Sequence, residues 1–113
     1  MDCLFCGIVQ EKVPARIIYR DDEILAFHDI SPKAPHHILI IPTKHIETLN
    51  DIDKNDISII GKMVFRAKEL AAQIGMSEPG YRLVLNCNAD GGQSVYHIHC
   101  HLLGGRLMQW PPG

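Results

Sequence analysis

The stretch HIHCHLLGG (His97 to Gly105) alternates imidazole with apolar side chains. A period of two is the mark of a strand with one covered face, because successive side chains point to opposite sides of a sheet. Read as a strand over residues 97–103, it sends Ile98, Cys100 and Leu102 into a core. His97, His99 and His101 then line the other face, roughly 6.5–7 Å apart along the backbone.

Outward from that strand, the chain offers four more short β-favouring runs and one long helical one. RIIYR (16–20) and EILAFH (23–28) flank Asp21-Asp22, which predicts a hairpin turn. HILIIP (37–42) ends at Pro42, which cannot donate to a ladder. YRLVLNC (81–87) precedes the histidine strand. Between them Ile57, Ile60, Val64, Ala67, Leu70, Ala71 and Ile74 recur at spacings of three and four, the pattern of a helix with one apolar face. Asp53 or Asn55 can cap its start, and Gly75 suits a left-handed residue past its end. Gly61 weakens the helix interior by about 1 kcal/mol relative to Ala, so a close packing partner is expected there. A short helix is expected over residues 3–9. Strands, one long helix and strands again predict an α+β fold on a mainly antiparallel sheet. In the Pro-ended tail RLMQWPPG, Trp110 should pack on this chain or on a neighbour.

The 113 residues are 46% apolar with a formal net charge of −2. That length predicts one domain spanning residues 1–113. Scattered positive charge argues against a nucleic-acid polymer as ligand, and no apolar run approaches the ~20 residues of a membrane span. The opening MDCLFCGIVQEK has neither a basic leader nor an apolar signal core, so a cytoplasmic location is expected. In that reducing setting Cys3-x-x-Cys6 reads as metal or redox chemistry.

Three readings of the histidine face compete. A solvated face that happens to be histidine-rich is the plainest. A metal site is the second, although three ligands along one straight strand converge poorly on a tetrahedral ion. The third is phosphoryl chemistry: neutral imidazole is a good nucleophile, and clustered rings suppress one another's protonation. The preceding loop NCNADGGQS (86–94) favours the third. Gly91-Gly92 lets backbone N–H groups approach an anion, while Gln93 and Ser94 add side-chain donors.

The run DGGQSVYHIHCHLLGGR, followed three residues later by WPPG, resembles the signature of the histidine-triad (HIT) superfamily. Together with AFHDISPKAPHHILIIPTKHI and RIIYRDD, it is most similar to the branch of histidine-triad nucleotide-binding proteins that act as purine nucleoside phosphoramidases. The resemblance implies a HIT-like fold with a five-stranded sheet, one long and one short helix, and a homodimer whose Trp110 segment reaches toward the partner's site. It implies hydrolysis of the P–N bond of a purine nucleoside 5′-phosphoramidate. His99 would attack phosphorus to give a nucleotidyl-histidine, and His101 would stabilise charge on the phosphate. His97 would orient the site, and His37, rather than its neighbour His36, would be the fourth histidine. Ser94 and Gln93 would contact the phosphate or leaving group, with Gly92 beside them and Asn86 near the phosphate and ribose. Asp29 would accept from the ribose hydroxyls, with capping of the turn before Ser31-Pro32 as its competing role. Phe27 and Ile30, with Ile8 and Ile17 or Ile18, would form the purine slot, or else plain core.

In zinc-containing relatives the Cys3/Cys6 pair would be completed by His45 and His97; free thiols and a redox pair remain the alternatives. Catalysis itself is expected to need no cofactor. Two other functions compete: hydrolysis of a dinucleoside polyphosphate, and a nucleotide-binding regulator or scaffold with little turnover.

Overall fold

The computed structural model describes residues 3–113. Five strands form one sheet: β1 (Ile17–Arg20), β2 (Ile24–His28), β3 (His36–Pro42), β4 (Tyr81–Leu85) and β5 (Cys100–Gly104), in the spatial order β1-β2-β3-β5-β4. All four pairings are antiparallel. The β1–β2 turn is fixed by Asp21, whose Oδ1 accepts from the backbone N–H of Glu23 and Ile24 at 2.8 and 2.7 Å.

Both faces of the sheet centre are covered, which is why β2 and β3 read as nearly continuous apolar runs. On one face Ile24, Ala26, Ile38, Ile40, Ile98, Cys100 and Leu102 pack against the long helix α2 (Ile57–Gln73) through Met63, Ala67, Leu70 and Ala71. On the other, Leu25, Phe27, Leu39 and Ile41 meet Phe5 and Ile8 of the short helix α1 (Leu4–Val9). No helix among the described residues is long and apolar enough to cross a membrane.

Four local expectations change. The histidine strand begins at Cys100, not at residue 97. Before it, the N–H of Ile98 donates to the carbonyl of Ile46 (2.8 Å), and the chain is held off the ladder. The strand expected over 81–87 ends at Leu85, and the loop after it contains one helical turn, α3 (Asn88–Gly91). Asp53 caps a 3-10 turn, Lys54–Asp56, that leads into α2 rather than capping α2 itself. Finally, the apolar positions of α2 make two stripes. Ile57, Val64 and Phe65 are 66, 42 and 55% exposed, and among the described residues nothing lies within 4 Å of a Cβ built on Gly61, so none of them supplies the partner expected there.

Gly75 follows α2 at φ +81°, as anticipated. Gly104 sits under the Met76 side chain, whose sulfur a Cβ there would displace. Trp110 is 80% exposed, with the Arg82 guanidinium 5.8 Å from its ring centroid.

Candidate active site

The alternation of the sequence survives the shortened strand: Ile98, Cys100 and Leu102 enter the α2-side core, and the histidines between them face α1. Phe5 of α1 stands edge-on to both His97 and His99, at 6.0 and 5.2 Å between ring centroids, and His99 meets His101 at 4.9 Å. His37 joins them because β3 pairs with β5. Leu39 lies opposite His101, which places His37 on the diagonal and on the same face. His36 points the other way and is exposed.

A neutral imidazole has one N–H and one lone pair, so a bond to a backbone group of known polarity decides which nitrogen is which. The N–H of Lys33 donates to Nδ1 of His37 (3.0 Å), so the His37 proton sits on Nε2. That Nε2–H donates to Nδ1 of His101 at 2.9 Å, with Oδ2 of Asp29 3.5 Å away. The proton of His101 is therefore on Nε2. His99 donates from Nδ1 to the carbonyl of His97 (2.8 Å), which leaves the lone pair of His99 on Nε2. One nucleophilic nitrogen thus neighbours one N–H donor.

Burial holds His37, His97, His99 and His101 below the ordinary histidine value. His101 falls furthest, to about 4, with His99 and His37 adding to the effect of burial. These rings are neutral near pH 7, as nucleophilic attack requires.

His99 and His101 line a mainly apolar cavity of about 240 Å³. Phe27, Ile30, Asp29, Ser94 and Ile8, all expected there, border it. Leu4, Phe5, Val13, Pro14, Ala15, His28, Leu39 and Val95 border it too and were not foreseen. Ile17 and Ile18 lie elsewhere, exposed on edge strand β1, and Ile30 is 96% exposed at the mouth. Asp29 takes the competing role of turn cap, its Oδ1 accepting from the Ser31 N–H (2.7 Å), while its Oδ2 faces His37.

The glycine loop differs from expectation. The N–H groups of Gly92 and Gln93 close α3 by donating to the carbonyls of Ala89 and Asn88, so neither is free to cradle an anion. Gln93 is buried, with Nε2 donating to the carbonyls of Glu47 (2.7 Å) and Val95 (3.1 Å) and Oε1 accepting from the Asn88 N–H. Asn86, Gly92 and Gln93 are not among the cavity's walls.

A second constellation holds Cys3, Cys6, His45 and His97 with their ligand atoms within 4.8 Å of one another. A tetrahedral zinc at about 2.3 Å from sulfur and about 2.0 Å from nitrogen sets S···N edges near ~3.5 Å and N···N edges near ~3.3 Å. The edges here are 3.5 Å (Cys3 Sγ–His97 Nδ1), 3.6 Å (Cys6 Sγ–His97 Nδ1), 3.3 Å (Cys6 Sγ–His45 Nδ1) and 3.3 Å between the two Nδ1 atoms. Nε2 of His97 donates to the carbonyl of Pro42 (2.8 Å), which turns the Nδ1 lone pair toward the sulfurs. The residues fit the ion. Asp29, His37 and His101 also cluster, but there the donors and acceptors are spent on one another.

Residues 2–109 match the family described as "Scavenger mRNA decapping enzyme C-term binding". The purine nucleoside phosphoramidase of Escherichia coli K12 is 50% identical over 107 residues, covering 95% of this chain and 90% of that protein. Among solved structures, a HIT family hydrolase from Legionella pneumophila is 57% identical with a TM-score of 0.97, covering 99% of this chain and 100% of its own. A histidine triad protein from Clostridium difficile is 40% identical with a TM-score of 0.92, covering 97% and 96%.

Proposed function

The chain belongs to the histidine-triad family, and from that premise we propose that it hydrolyses the P–N bond of purine nucleoside 5′-phosphoramidates through a nucleotidyl-His99 intermediate. The observation that carries this reading is the pairing of tautomers: a lone pair on His99 Nε2 beside a proton on His101 Nε2, in the lining of a mainly apolar cavity.

The nucleoside enters with its base between Phe27 and Ile8 and its ribose toward Asp29. Nε2 of His99 attacks phosphorus, and the P–N bond breaks with its electron pair on nitrogen. That nitrogen takes a proton from solvent, repaid by the water of the second step, and departs as the amine past Ser94. The Nδ1–H of His99 keeps its bond to the His97 carbonyl, which stabilises the positive charge the ring acquires. His101 donates to a non-bridging oxygen, and its orientation is held through His37 by the Lys33 N–H. Water then attacks phosphorus, the bond to His99 breaks, and nucleoside monophosphate leaves. Net, one water is consumed; its oxygen ends on phosphorus and its protons on the amine.

Cys3, Cys6, His45 and His97 would hold a structural zinc that crosslinks α1 to the triad. The whole chain acts as one HIT domain, and the outer stripe of α2 pairs two copies into a homodimer. In the test, adenosine 5′-phosphoramidate is incubated with wild type and His99→Ala. The expected result is adenosine monophosphate from wild type and a loss of several orders of magnitude in the variant, with nucleotide binding kept. Equal inactivity of the two, with binding intact, would favour a nucleotide-binding regulator instead.

A further inference from the structure

The cavity lined by His99 does not close at Ser94. Leu4, Ser94 and Val95 border it, and the same three residues border a second, larger cavity of about 420 Å³. The second cavity is lined further by Glu47 and Tyr96, and by Cys3 and His45 of the metal-ligand cluster. A phosphorus seated at His99, with its nucleoside in the first cavity, therefore has its remaining substituent directed across Ser94 into the second.

Two of its lining segments are tied together. Gln93, 7% exposed, donates from one amide nitrogen to the carbonyls of Glu47 and Val95, one on each. The N–H of Ile98 adds a bond to the carbonyl of Ile46. Separating these segments would strand a buried amide, so the groove is a built feature rather than a gap between loops. Its chemistry also differs from that of the first cavity. Glu47 brings a carboxylate that joins no salt bridge among the described residues, and Tyr96 brings a ring 43% exposed. A carboxylate beside an aromatic face favours a cation.

We propose that this second cavity is the subsite for the leaving amine and that Glu47 makes it selective for amines bearing a second positive charge. The proposal rests on the phosphoramidase reading above. Gln93, expected to contact the phosphate or the leaving group, is then the clamp that shapes the subsite.

The test compares kcat/KM for two adenosine 5′-phosphoramidates whose leaving amines have equal length, 1,5-diaminopentane and n-hexylamine. The ratio is measured in wild type, Glu47→Gln and Glu47→Lys, so that any intrinsic difference between the amines cancels across proteins. An exposed ion pair supports a preference of roughly two- to five-fold. Wild type should favour the diamine by about that factor relative to Glu47→Gln, the charge-reversed variant should favour hexylamine, and added salt should shrink the wild-type preference. An identical ratio in all three proteins would overturn the subsite. Failure of wild type to cleave unsubstituted adenosine 5′-phosphoramidate would instead overturn the phosphoramidase reading, and the proposal with it.

Discussion

Three imidazoles have one ring nitrogen committed to a backbone group of fixed polarity: His37 to the Lys33 N–H, His97 to the Pro42 carbonyl and His99 to the His97 carbonyl. The fourth, His101, is set through the His37 ring. A side-chain substitution that breaks this relay should therefore disturb chemistry more than binding. His37→Ala leaves Nδ1 of His101 without its donor; kcat should fall about 10²-fold, within the range of a positioned proton-transfer group, with little change in KM. Steady-state kinetics on one substrate series would check it. The pH dependence has a definite sign. His101 is neutral in the fold down to about 4, whereas its unfolded value lies near 6.5. Between those values the unfolded chain binds the extra proton, so this contribution to stability is complete above pH 6.5 and is lost as pH falls toward 4. Thermal melts across that window should show Tm falling with pH, and His101→Asn should flatten the dependence. The alternation of histidines in the sequence pointed to one shared face. Which nitrogen carries each proton was not legible, because the backbone partners at Lys33 and Pro42 have no signature of their own.

At the scale of elements, α1 is a six-residue helix that could not persist alone. It is held by Phe5 and Ile8 in the core and by two cysteines facing His45 and His97. Since the carbonyl of His97 also accepts from His99, the Cys/His cluster and the proposed nucleophile share one residue. Cys6→Ser should lower metal content from about one zinc per chain, measured by elemental analysis, and lower Tm with it; a wild-type protein purified without metal would contradict the zinc assignment. The strands and the long helix were readable because their periods of two and three to four reflect real burial. The helix pattern misled in one respect. Ile57, Val64 and Phe65 are apolar yet exposed, and periodicity alone cannot tell a stripe that meets its own sheet from one that meets something else. The glycine loop misled for a related reason: Gly91-Gly92 permits a cradle, but the N–H groups of Gly92 and Gln93 are already spent in closing α3.

For the molecule as a whole, that outer stripe is exposed and β4 is an edge strand, and in the proposed homodimer a second copy covers them. Phe65→Glu should convert a particle of twice the chain mass into one of a single chain mass by light scattering; a wild-type protein already monomeric at micromolar concentration would contradict the dimer. The remainder of the account depends on covalent chemistry at one ring. Its most direct measurement is intact-protein and peptide mass spectrometry of a reaction with adenosine 5′-phosphoramidate quenched within the first turnover. The expected result is an added adenylyl group on the peptide containing His99, absent from His99→Ala. Product accumulating with no such adduct, or an adduct on another residue, would contradict it.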